Sequence, residues 1–117
     1  MPTDITIIRT PITRGALQKE ATKLFGDFAK AVVDIERNVM ALGVELHADA
    51  EAALLQDGSQ RKDVWGINLY PARTDDAWIQ FDSMVNIRPS QGNQSRNVED
   101  PAIQERIRHV VSKLIAA

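Results

Sequence analysis

Residues 28–47, FAKAVVDIERNVMALGVELH, alternate apolar and polar side chains on both sides of a short charged break, and few folds accommodate that pattern. Successive side chains of a strand point to opposite sides of a sheet. With Arg37 and Asn38 as the turn, Asp34 faces Ala41 and Glu45 faces Lys30. One side of the predicted hairpin then carries Ala29, Ala31, Val33, Ile35, Met40, Leu42, Val44 and Leu46. The other carries Lys30, Val32, Asp34, Glu36, Gly43, Glu45 and His47. Segregation with period two calls for a sheet that sets one face on a core and leaves the other polar.

The remaining segments fit around that hairpin. Residues 5–9 form a β-branched run that suits a first strand. Thr13 caps a helix whose Leu17, Ala21, Leu24 and Phe25 fall at i, i+4, i+7 and i+8, and Gly26 stops it. A short helix follows with Asp49 as cap, Leu54 and Leu55 as anchors and Gly58 at its end. DVWGINLYP and WIQFDSMVNIR read as a second hairpin around residues 72–77. Trp65, Ile67 and Leu69 share its apolar face with Ile79, Phe81, Val85 and Ile87. Gly66, Asn68, Tyr70, Trp78, Gln80, Asp82, Asn86 and Arg88 lie opposite. Asp100 and Pro101 open a last helix with a stripe of Ile103, Ile107, Val110, Val111, Leu114 and Ile115. The order β-α-β-β-α-β-β-α predicts a single α+β domain over residues 1–117. It is a two-layer sandwich, a mainly antiparallel sheet from two hairpins with helices on one face. The polar sheet face is then left open.

Composition narrows the function classes. The 117 residues suit one domain, with no repeat or linker. The absence of cysteine excludes disulfides, thiolate zinc sites and cysteine nucleophiles. A net charge of −2 argues against broad contact with a phosphate backbone, so no nucleic-acid partner is expected. MPTDITIIRT lacks the basic and apolar regions of a signal peptide. No run approaches the roughly 20 apolar residues that span a bilayer. A cytoplasmic protein with no membrane partner is the expectation. No P-loop, GxGxxG or GxSxG pattern occurs, and no cofactor is predicted.

Candidate site residues gather on the polar face and in the loop beyond it. Arg88 and Arg96 flank Ser90, Gln91, Gly92 and Asn93, a segment with the composition of a tight turn. Two guanidiniums and a set of amide donors suit a carboxylate or phosphate. The competing reading is a solvated connector whose arginines pair with Asp82, Glu99 or Asp100. Gly66, opposite Asp82, leaves either a bulge or a notch walled by Asn68, Asp82 and Asn86. Tyr70 and Trp78 read as a ring pair or a stacking wall. Glu45, His47 and Asp82 are the candidates for acid–base or metal chemistry, provided that the hairpins lie side by side. Asp34 stands about 13 Å from Glu45 in this register at about 3.4 Å per residue and Glu36 farther still, too far to share an ion. His47 alternatively ends the strand and flanks the short helix, and His109 falls on the polar side of the last one.

The blocks GVELHADAEAALLQDGS, DVWGINLYP and FDSMVNIRPSQGNQSRN resemble a family of short bacterial proteins known only as a domain of unknown function. The likeness runs from about Phe28 to the end, and NIRPSQGNQSR is its most specific part. It implies a bacterial, single-domain, cytoplasmic protein and assigns no activity, cofactor or catalytic residue. The leading functional expectation is a domain that binds a small anionic or polar ligand on the open face and the 88–96 loop. Arg88 and Arg96 would neutralise the ligand, and Asn68, Asn86, Gln91 and Asn93 would orient it. The alternatives are a homodimerisation or interaction module on the same face, presenting Trp78, Tyr70 and Met84, and a metal-assisted hydrolase using Glu45, His47 and Asp82.

Overall fold

The computed structural model describes residues 5–116 and has the expected α+β architecture. Its elements are β1 (Thr6–Ile8), β2 (Ile12–Thr13), α1 (Arg14–Leu24), β3 (Ala29–Asp34), β4 (Val39–Val44), α2 (His47–Gln56), β5 (Val64–Leu69), β6 (Ile79–Gln80), α3 (Pro101–Leu114) and β7 (Ile115–Ala116). Five strands form an antiparallel sheet in the order β1-β4-β3-β5-β6, while β2 and β7 make a small parallel pair. The two hairpins therefore do lie side by side, with Val32 opposite Gly66. Among the described residues no helix is long and apolar enough to cross a membrane.

The helix ends follow their sequence signals. Thr13 accepts a hydrogen bond from the Ala16 amide, and Asp100 accepts one from that of Ala102, satisfying donors that a helix N-terminus leaves unpaired. Leu17 and Ala21 of α1, with Ile107, Val110, Val111 and Leu114 of α3, pack on Ala31, Val33, Met40, Leu42, Trp65, Ile67 and Leu69. This is the apolar sheet face predicted from the alternation.

Four expectations change. Asp34 faces Val39 rather than Ala41, because the β3–β4 loop takes in residues 35–38 instead of two residues. Asp34 Oδ1 accepts from the amides of Glu36 and Arg37, and Asn38 adopts a left-handed conformation with φ 56°. The shift is two residues, so every side chain up to Leu42 keeps its face. Gly43, at φ 84°, then introduces a bulge that pairs Lys30 with Val44 and ends the alternation. The Val44 side chain lies outside the described part of the structure. Leu46, expected in the core, is instead 59% exposed.

The second face is not open along its whole length. Ala50 and Leu54 of α2 bury against Val32, Val39, Ala41 and Val64. Val32, Val39 and Ala41 sit at positions of polar-face parity, and their apolar side chains give α2 a surface to cover. Finally, the strand expected over residues 78–88 ends at Gln80. Ser83 accepts from the Val85 amide and starts a 3₁₀ turn at Met84–Asn86, which carries Val85 and Ile87 away from the first face.

Candidate functional site

Where β6 stops, one edge of β5 is left without a strand partner, and side chains of the following segment take its place. Asn86 accepts from the Gly66 amide at 2.8 Å, donates to the Gly66 carbonyl at 3.0 Å and also donates to the Arg96 carbonyl. Arg88, 4% exposed, donates to the carbonyls of Val85, Arg61 and Val64 and to the Glu51 carboxylate. Its guanidinium also lies 4.6 Å above the Trp65 ring. Asn93 donates to the carbonyls of Asn86, Ser95 and Asn97 and accepts from the Glu99 amide. Gln91 reaches the Lys62 carbonyl.

Four expected ligand residues are thus turned inward or held by the chain itself. Buried carbonyls must find donors, and Arg88, Asn86 and Asn93 supply them. The Gly66 notch is filled too: a Cβ built there would stand 2.6 Å from Ser83 Cβ and Oγ. Residues 88–93 of the loop clamp neighbouring segments, whereas Arg96 turns to a different surface.

Asn68, Asp82, Arg96 and His47 gather elsewhere, around a cleft of about 400 Å³. One wall is the start of α2, which begins at His47 rather than being capped at Asp49. The residue before it, Leu46, offers no side-chain cap to the first-turn amides. Lys30 of β3 stands nearby, its ammonium donating to the Glu45 carbonyl at 3.0 Å. Phe28 and Tyr70 form an aromatic wall, stacked at 5.3 Å, with Phe25 behind Phe28 at 4.6 Å. The expected pairing of Tyr70 with Trp78 is replaced, since Trp78 lies under the Arg14 guanidinium at 3.9 Å. Asp82 and Arg96 form a half-exposed ion pair at 2.9 Å on the far rim, a geometry that contributes little stability.

His47 Nε2 lies 2.8 Å from the Ile67 carbonyl. A carbonyl only accepts, so Nε2 carries the hydrogen and Nδ1 holds the lone pair. Asn68 donates to the Asp82 carbonyl at 3.0 Å, but its buried Oδ1 accepts nothing. Burial pushes the His47 pKa below the ordinary imidazole value and Lys30 adds to this, while the Ile67 carbonyl, Asp82 and Asn68 oppose it. The unfolded chain therefore takes up this proton at a higher pH than the folded one. The His47 contribution to stability is complete above about pH 6.5 and declines as pH falls from there, levelling off below the depressed folded value. His47→Gln is expected to flatten that part of the profile when urea midpoints are compared from about pH 8 to about pH 5. Parallel curves for the two proteins would overturn the assignment.

The metal site expected from Glu45, His47 and Asp82 does not form. Among the described residues no three His, Cys, Asp or Glu side chains are grouped to hold an ion. Glu45 is exposed beyond the bulge, which removes it from the strand register that would have aligned it. His109 is exposed on α3, as expected. The cleft residues not anticipated from the sequence are Lys30 and Phe28, together with the bare α2 terminus. A missing Ser, Thr, Asp or Asn before HADAEAALLQ was the available signal.

A family described as Protein of unknown function (DUF5674) matches residues 6–114. No curated protein and no solved structure matches.

Proposed function

Since the chain belongs to that family of unknown function, the cleft itself must carry the reading, and we propose that it binds a small anion, a carboxylate or phosphate carried on a compact molecule. The observation that carries this is the bare α2 N-terminus opening on the cleft beside Lys30. The Asp49 amide is taken by the Leu46 carbonyl, which leaves the His47 and Ala48 amides and the helix dipole to favour negative charge there, and an ammonium reinforces them. Arg96 adds a second cation on the rim, partly committed to Asp82. The Phe28 and Tyr70 wall suits an apolar or planar body attached to the anion.

Amide shifts in the full chain during titration with acetate, glycerol phosphate and succinate test the reading. Shifts are expected at residues 46–48, 68 and 82–84, with the 88–93 clamp still. Lys30→Gln should weaken binding about tenfold or more, since a hydrogen bond to a charged group is worth roughly 1.5–3 kcal/mol. Shifts confined to residues outside the cleft, or none, would end the proposal.

A second reading has one observation of its own. Leu46 and Met84, 59% and 67% exposed, flank the same cleft. Exposed apolar side chains at a polar cleft also suit a contact between proteins. Sedimentation that stays monomeric at micromolar concentration would remove the homodimer form.

A further inference from the structure

We propose that the cleft takes up its anion together with a proton, and that His47 is the group that gains it. This rests on the anion reading above and adds what the ligand does to the site. Hydrogen-bonding geometry and electrostatics pull His47 in opposite directions. The Ile67 carbonyl lies 2.8 Å from Nε2, and Asn68, which lines the same cleft and acts on the ring, has a buried Oδ1 with no donor. A neutral imidazole has one N–H and serves one of them, whereas an imidazolium has two. An Asn68 acceptor beside the ring favours the charged form. The hydrogen-bonding surroundings are therefore completed by protonation.

The charges around the ring are of both signs. From β3 comes Lys30. From the segment after β6 comes Asp82, whose carboxylate is shared with Arg96. Strand β5 brings no charge, only the Ile67 carbonyl and the Asn68 amide. From α2 itself come Asp49, in the first turn, and the positive end of the helix dipole, which disfavours a cation at the first helical position. Burial adds to the penalty. An anion seated between Lys30 and the α2 terminus shifts this balance toward the imidazolium, because it adds negative charge beside Lys30, to that of Asp82. His47 then acts on the ligand through its field, with Nε2–H held by the Ile67 carbonyl, and is a positioning residue for the bound anion.

The test measures the His47 pKa in the full chain by NMR, with sulfate as probe and chloride at equal ionic strength as control. Sulfate keeps one charge state across the range, so any linkage comes from the protein. The expected result is a His47 pKa raised by sulfate, and a sulfate affinity that falls as pH rises between the free and bound values, by at most about tenfold per pH unit for one proton. His47→Gln should bind sulfate with a pH-independent affinity, and Asn68→Ala should shrink the sulfate-induced pKa change. Sulfate binding in the cleft with an unmoved His47 pKa would overturn the linkage and leave the anion site standing. No cleft shifts with sulfate, acetate or glycerol phosphate would overturn both.

Discussion

Arg88→Ala should lower folding stability by about 3–5 kcal/mol, the scale found when one partner of a buried ion pair is removed. The side chain is nearly sealed from solvent and serves three carbonyls and a carboxylate from three parts of the chain. Truncation strips donors from the Val64, Val85 and Arg61 carbonyls and leaves the Glu51 carboxylate, itself largely buried, without its cation. Burial lowers the Arg88 pKa and Glu51 opposes that, but a guanidinium is basic enough to stay charged. Arg88→Lys should recover less than half of the loss. An ammonium is a single point with three donors and lacks the planar fork that reaches these acceptors, nor does it stack as well on Trp65. Total stability for a domain of this size is about 5–15 kcal/mol, so Arg88→Ala sits near the folding threshold and Arg88→Lys is the safer measurement. Urea midpoints decide the matter: a lysine variant as stable as the parent would mean that the fork contacts contribute nothing net.

Gly66→Ala is expected to cost about 1–3 kcal/mol, the range for forcing extra volume into a packed site. The added methyl would lie 2.6 Å from Ser83 Cβ and Oγ and 2.8 Å from Val85 Cγ2, distances that real contacts do not reach. Ser83 and Val85 belong to the turn that brings Asn86 onto the Gly66 amide and carbonyl, so pushing them back loosens that double hydrogen bond as well. Ser83→Gly in the same chain removes the closest atoms. The double variant should therefore be less destabilised than the sum of the two single changes, a coupling that a thermodynamic cycle measures directly. Strict additivity would show that the clash is relieved elsewhere.

The same residues show how far the sequence could be read. Gly66 stood out because glycine inside a strand is unfavourable unless something approaches closely. The alternation sets Asp82 opposite it, whereas Ser83, Val85 and Asn86 are the residues that reach it, and the strand pattern does not distinguish a ligand from the chain itself. Arg88, Asn86 and Asn93 have the composition of an anion site, and the same donors serve equally well to cap carbonyls on a bare strand edge. The difference lies in whether β6 continues past Gln80, which is decided by the Ser83 turn and not by the alternation of WIQFDSMVNIR. His47 was singled out for its chemistry, and its neighbourhood with Asn68 and Asp82 depended on β3 pairing with β5.

Local order was therefore set by the chain alone. Thr13 and Asp100 cap their helices, and the alternation of residues 29–42 divides them between two faces whichever two-residue register is chosen, because strand geometry acts over neighbouring residues. Which groups meet across the molecule was settled only by tertiary structure. The Gly43 bulge turns Leu46 outward, α2 crosses the face expected to be free, and the segment after β6 commits its arginine and asparagines to the edge of β5. Each of these follows from the need to cover apolar surface and satisfy backbone polar groups once distant segments have closed together.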